Sequence, residues 1–152
     1  MAEPAANKAV IKHIYDVYSH SKGHDISPLM AALAPDAIWR SLGSDDHMQF
    51  ARNGQGDEHI RTYFRGLHAD WEQLRVDPHL FLAEGDHVIV IGQIEFRHKR
   101  TGRVLTTPKV DSWRLNEDGQ IVEFCEYFDT LAAVVAAGGL ADTPVTTADA
   151  SH

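Results

Sequence analysis

Apolar residues recur with helical spacing near the start of the chain, at Val10, Ile11, Ile14, Val17 and Tyr18, and predict an amphipathic first helix that Gly23 ends. Ser27 followed by Pro28 reads as an N-cap and first helical position, opening a short second helix through Leu33. Pro35 and Asp36 break that helix ahead of a strand from Ala37 to Ser41. Residues 42–56, LGSDDHMQFARNGQG, are polar and contain glycine, which predicts a long loop over a pocket mouth. Asp57 then reads as the cap of a third helix with Ile60, Tyr63, Phe64 and Leu67 on its buried side.

From about Trp71 the pattern turns to β. Leu74 to Ala83 and His87 to His98 are β-rich runs joined by the hairpin signal Glu84-Gly85-Asp86. Residues 99–102 turn the chain, and Arg103 to Asn116 runs to Asp118-Gly119, the strongest short-range hairpin signal present. Gln120 to Phe128 is the last strand. Asp129-Thr130 opens a short helix, LAAVVAA, stopped by Gly138-Gly139. Helices followed by an antiparallel meander predict an α+β fold with helices on one sheet face. One domain over 1–139 and a flexible tail over 140–152, small and polar, complete the expected organisation.

A hairpin turn sets the register, and the register decides which side chains meet. With Asp118-Gly119 as central turn residues, Glu117 pairs with Gln120, Asp111 lies opposite Glu126, Trp113 meets Phe124 and Lys109 meets Phe128. With Thr101-Gly102 central in the preceding turn, Arg100 pairs with Arg103, and Gly92, Ile94, Phe96 and His98 join the same face. The predicted pocket wall therefore carries two facing carboxyls among large apolar residues, with His98 at its rim. Facing carboxylates repel, and an apolar setting disfavours ionising either, so one would keep a proton near neutral pH and could donate it. The opposite reading of the same alternation turns this face to solvent or a subunit partner, with the acids as solubilising charges. Trp39, Tyr63 and Trp113 could line a cavity for a planar ligand or serve as ordinary core.

Composition narrows the partners. Acidic residues outnumber basic ones, 22 to 14, for a net charge of −8, which argues against nucleic acid and anionic membrane surfaces. The single cysteine, Cys125, excludes an internal disulfide or a cysteine-based metal cluster. There are ten histidines, yet His20 and His24 flank the helix-breaking Lys22-Gly23 and no His-Glu-x-x-His spacing occurs, so no metal is expected. The opening MAEPAANKAV lacks signal-peptide character, no run approaches a membrane span, and a cytoplasmic location is expected.

Three segments carry a resemblance: Leu33-Ala34-Pro35-Asp36-Ala37-Ile38-Trp39, Gly56-Asp57-Glu58-His59-Ile60, and the hairpin from Val110 to Thr130. Over about residues 8–138 the chain resembles the SnoaL-like branch of the nuclear transport factor 2-like superfamily. The resemblance implies a cystatin-like cone, a curved antiparallel sheet wrapped around N-terminal helices with an apolar pocket, commonly as a homodimer. Val110-Asp111-Ser112-Trp113-Arg114-Leu115-Asn116 is similar to the ketosteroid isomerase strand whose aspartate stays protonated in the oxyanion hole, which puts Asp111 in that role. That enzyme's general-base aspartate falls near Ser41, and its helix-one tyrosine near Val17, with Tyr18 the nearest candidate. Glu126-Tyr127-Phe128-Asp129 resembles the end of limonene epoxide hydrolase, whose tyrosine and asparagine are replaced by Trp39 and Ser41. Tyr18-Ser19-His20-Ser21-Lys22, and a histidine near His98, resemble scytalone dehydratase.

The reading that follows is a small-molecule enzyme using acid–base chemistry without metal or cofactor, acting by isomerisation, cyclisation or dehydration of an apolar carbonyl compound. Asp111 and Glu126 would be its acid and base, with Tyr18 and His98 secondary. Trp39, Tyr63, Phe96, Trp113, Phe124 and Phe128 would shape the pocket. A non-catalytic binding or dimerisation module and an epoxide hydrolase are the alternatives.

Overall fold

A computed structural model describes residues 3–43 and 48–140; most of the expected tail lies outside the described residues. Helix α1 (Pro4–His20) buries Asn7, Ile11, Ile14 and Tyr15. It ends where Lys22 and Gly23 take positive φ and the Gly23 amide closes back on the Tyr18 carbonyl. Helix α2 (Ser27–Ala32) starts one residue earlier than the N-cap reading. Ser27 is its first residue, and both its amide and hydroxyl donate to the Asp25 carboxylate, at 2.9 and 2.6 Å. Helix α3 (Asp57–Asp70) likewise begins at Asp57, with Gly56 at φ 91° as the cap, and Asp57 instead pairs with Arg61 one turn on. Only at α4 (Thr130–Ala136) does the expected cap form, as Asp129 accepts from the Ala132 amide at 2.9 Å.

The described residues form six strands, β1 (Leu33–Ser41), β2 (Gly54–Gln55), β3 (Trp71–Glu84), β4 (His87–His98), β5 (Val104–Leu115) and β6 (Ile121–Phe128). They form one sheet in the order β2-β1-β6-β5-β4-β3. The antiparallel expectation needs correction at one seam, because β1 runs parallel to β6. Hairpin signals report only neighbours in sequence, and this pair closes across the whole meander. Strand β1 also starts at Leu33 rather than Ala37. Pro35 and Asp36 are accommodated at the irregularity between Leu33 and Ile38, where proline forfeits no ladder bond. The 42–56 segment, of which 44–47 lie outside the described residues, is not all loop: it holds β2 and a 3₁₀ turn, Gln49–Ala51.

Helix α1 packs on β3 and β4, and α3 on β1 and β3, all on one side of the sheet. Trp39, Val88, Val90, Phe96, Leu105, Trp113, Leu115 and Phe124 bury their side chains there against Ile11, Ile14 and Ile60. Gly92 pairs with Pro78, beside the irregularity between Pro78 and Leu80, where β3 and β4 come close together. A Cβ at that position would lie 2.4 Å from the Asp77 carbonyl oxygen and 2.8 Å from Pro78 Cα, so only glycine permits the approach.

Candidate active site

The β5–β6 register brings the predicted pairs together: Asp111 opposite Glu126, Trp113 opposite Phe124 and Lys109 opposite Phe128. The turn itself differs from the two-residue count. Asn116 bonds to Gln120 around a three-residue loop containing Gly119 at φ 76°, and the ladder shifts by one between Arg114 and Leu115. The additional loop residue and the bulge cancel, which is why the pairing at the acids agrees. The β4–β5 turn spans four residues, so Asp111 faces Val90 rather than Gly92. A slip of two preserves the face, and Gly92, Ile94 and Phe96 do line the cavity.

That cavity, about 120 Å³, opens between the sheet and α1 and α3. Trp39, Tyr63, Phe96, Trp113, Phe124 and Phe128 all contribute to its wall, as do Asp111, Glu126 and Tyr18. Trp39 stacks on Phe124 with ring centroids 4.0 Å apart, a contact set by the parallel β1–β6 pairing of these two residues. Ser41, one pleat on, pairs with Glu126 and is buried. His98 is not among the lining residues. It is buried against the edge of Trp71, with ring centroids 4.7 Å apart, and its Nδ1 accepts from the Thr101 amide at 3.3 Å. Burial, then Arg100, holds its pKa below the usual histidine value, as expected of a packed tip residue.

Asp111 and Glu126 are 4% and 3% exposed, and Lys109 sits between them. Its Nζ lies 2.9 Å from Asp111 Oδ1 and 3.1 Å from Glu126 Oε1. Tyr15 donates its hydroxyl to Asp111 Oδ2 and accepts from Trp113 Nε1 at 3.1 Å. Tyr63 donates to Glu126 Oε2 at 2.7 Å. One polar chain therefore runs Trp113, Tyr15, Asp111, Lys109, Glu126, Tyr63 through an otherwise apolar wall. The sequence pattern placed Lys109 on this face only as the partner of Phe128 and Tyr63 only as wall, and did not single out Tyr15. Tyr15, not Tyr18, is the helix-one tyrosine that reaches Asp111. Its spacing of four from the fully buried Ile11 was the available signal. The Tyr18 hydroxyl has no hydrogen-bond partner among the described residues, although the residue lines the cavity.

Burial raises the Asp111 carboxyl above the ordinary aspartate range; Lys109 pulls it back, Glu126 pushes it further up and the Tyr15 hydrogen bond lowers it. For Lys109, burial acts to lower the pKa, but attraction to Asp111 and Glu126 outweighs it and keeps the amine protonated beyond its usual value. A lysine so held is a cation and not a nucleophile. Burial and the neighbouring carboxyls raise Tyr15 and Tyr63, which makes both hydroxyls donors throughout the neutral range. The arrangement can hold one proton on a carboxyl beside a second carboxylate, with a fixed positive charge between them.

No curated protein sequence matches the chain. Solved structures do. A nuclear transport factor 2-like protein from Burkholderia thailandensis is 26% identical, covering 86% of this chain and 95% of that one, with a TM-score of 0.72. TerC, co-crystallised with polyporic acid, is 21% identical over 88% and 99%, TM-score 0.74. A protein with a ketosteroid isomerase-like fold from Catenulispora acidiphila, in complex with trimethylamine, is 18% identical over 85% and 95%, TM-score 0.67. The last two show a shared fold alone. The SnoaL-like domain family matches residues 12–124, most of the chain and every strand that builds the pocket except the end of β6. The α+β cone and this match together make the chain a member of the SnoaL-like domain family, within the nuclear transport factor 2-like superfamily.

Proposed function

We propose that the chain is an acid–base enzyme, working without metal or cofactor on a small apolar carbonyl compound. One observation carries the proposal: two buried carboxyls bridged by Lys109 in the wall of an aromatic cavity. In this reading the protonated Asp111 donates toward the substrate oxygen, and Glu126, as carboxylate, removes a proton from the carbon next to the carbonyl. Return of that proton to another carbon is isomerisation; loss of a neighbouring hydroxide is dehydration; attack by the enol carbon is cyclisation. The cavity volume suits a compound of about one ring. Tyr15 and Lys109 position and polarise Asp111, and Tyr63 does the same for Glu126. His98 has no part in it.

A pocket filled by side chains, or acids turned outward, would have favoured the binding-module alternative; the open cavity and inward acids favour catalysis. The epoxide-hydrolase alternative needs a second carboxylate, which Asp111 supplies, and a polar water site beside Glu126, whose two oxygens are instead engaged by Lys109 and Tyr63.

The test needs no natural substrate. Small cyclic enones in heavy water should exchange hydrogens next to the carbonyl faster with the protein than in buffer, read by NMR. Asp111→Asn and Glu126→Gln should each abolish the acceleration with the fold intact by circular dichroism. Equal exchange by wild type and both variants would sink the proposal.

The homodimer belongs to this reading as well. On the outer sheet face Leu80, Ile91, Val110 and Tyr127 are register partners across four strands, an apolar row of which Leu80 and Tyr127 are 47% and 44% exposed. A second copy laid on this row buries it. Light scattering should give twice the chain mass at micromolar concentration, and Ile91→Lys should halve it; a single-chain wild-type mass overturns the dimer. The half-buried lone Cys125 suits a reducing compartment, and the cytoplasm is our proposed location.

A further inference from the structure

The pocket holds the two features that usually recognise an ammonium ligand, a pair of carboxyls and a wall of aromatic faces. In this chain that position is occupied from within. The Lys109 ammonium contacts Asp111 and Glu126, and lies 5.7 Å from the centre of the Phe124 ring. An ammonium has three N–H groups. Two face the carboxyls, and Lys109 has no further hydrogen-bond acceptor among the described residues, so one N–H remains for the cavity that the residue lines. Asp111 Oδ1, fully buried, has no hydrogen bond beyond its ion-pair contact with that ammonium.

We infer that Lys109 sets the ligand class of the pocket: its ammonium fills the place an amine would take and turns a spare N–H to the cavity, so the pocket selects a ligand headed by an oxygen able to carry negative charge, a phenol or an enolisable carbonyl, and refuses amines. This deepens the enzymatic reading and rests on the cavity being a ligand site. A second cation about 4 Å from the first weakens binding about a thousandfold at an effective dielectric of about 20. An oxyanion at the same distance gains by the same interaction. When a bound phenol ionises, its proton can pass to Glu126, so the negative charge moves from carboxylate to ligand and the pocket's net charge is unchanged.

The experiment uses the full chain and two one-ring probes, para-nitrophenol, whose absorbance separates phenol from phenolate, and benzylamine, protonated at neutral pH. Lys109→Met leaves two carboxyls facing one another and could unfold the chain, so the comparison is also made in an Asp111→Asn background, which leaves a single carboxyl. Wild type and Asp111→Asn should bind para-nitrophenol, favour its phenolate form and bind benzylamine weakly. Adding Lys109→Met should tighten benzylamine at least about tenfold and reduce the bound phenolate-to-phenol ratio at least about tenfold, a displacement of one pKa unit. Gain of amine binding cannot come from unfolding. If losing Lys109 changes neither the amine affinity nor the phenol ionisation, the inference is overturned while the pocket stands as a ligand site. If neither probe binds any form, the ligand-site reading fails and takes the inference with it.

Discussion

Replacing Lys109 by Met removes the one cation from a cluster of three ionisable groups, and its cost should depend steeply on pH. The Nζ–O distances of 2.9 and 3.1 Å correspond to about 5 kcal/mol of attraction to each carboxyl that is ionised, at an effective dielectric of about 20 and before the cost of removing all three groups from water. Deleting one member of a buried pair typically costs about 3–5 kcal/mol net. Methionine preserves most of the stem volume, so the packing loss is small. Without the ammonium, the facing carboxyls retain protons to higher pH in the folded state than in the unfolded chain. The sign follows: stability is full below the unfolded carboxyl value, about 4, and falls as pH rises through the folded values. Urea denaturation should therefore show a loss of about 3–5 kcal/mol near pH 8 and about 1 kcal/mol near pH 4. Adding Asp111→Asn should return most of the loss at the higher pH, because the remaining acid no longer faces a like charge. An equal loss at both pH values would refute the argument and assign the role of Lys109 to packing.

Other outcomes follow from single contacts. Asp111 should titrate above the ordinary aspartate range by carbon-detected NMR, and because its folded pKa is raised, the stability it contributes is full below the unfolded value near 4 and lost as pH rises through the raised one; an unshifted curve contradicts this. Tyr15→Phe should move that titration further up and cost about 1–3 kcal/mol, since both Asp111 and the Trp113 indole lose a partner; an unchanged Asp111 curve would deny the bond. Gly92→Ala should cost about 1–3 kcal/mol in denaturant, because its methyl group meets backbone atoms that cannot turn aside; a neutral result would mean β3 and β4 separate more easily than their close approach implies.

Local signals carried the fold further than they carried the site. Alternation and turn residues located β4, β5 and β6 to within a residue or so, and face parity survived a wrong turn length twice, once by a compensating bulge and once by a slip of two. Trp113 and Phe124 could be placed beside the acids for that reason. The pairing of Trp39 with Phe124 could not, because no turn connects β1 to β6 and parallel partners leave no local trace. Tyr15 escaped for a different reason. A helical stripe identifies a buried face but not which aromatic on it ends in a hydroxyl bound across the core. Lys109 shared a face with both acids in the register, yet a period-two pattern gives no measure of whether a long flexible side chain turns inward to them or out to water.

The parallel seam has a consequence for how the protein is made. Strand β6 sits between β1 and β5, so the groups that meet at the pocket come from the opening and closing portions of the chain. On the ribosome, α1, β1 and α3 emerge well before Phe124 and Glu126 exist, and until then the inner face of Trp39 and one edge of β1 await a partner. A translation product that stops short of β6 carries two additional open strand edges, on β1 and β5, and an exposed apolar wall, the features that draw chaperones and proteases or seed aggregates. The cavity is thus completed only when the last strand is inserted, and an incomplete chain has no partial form of it to offer.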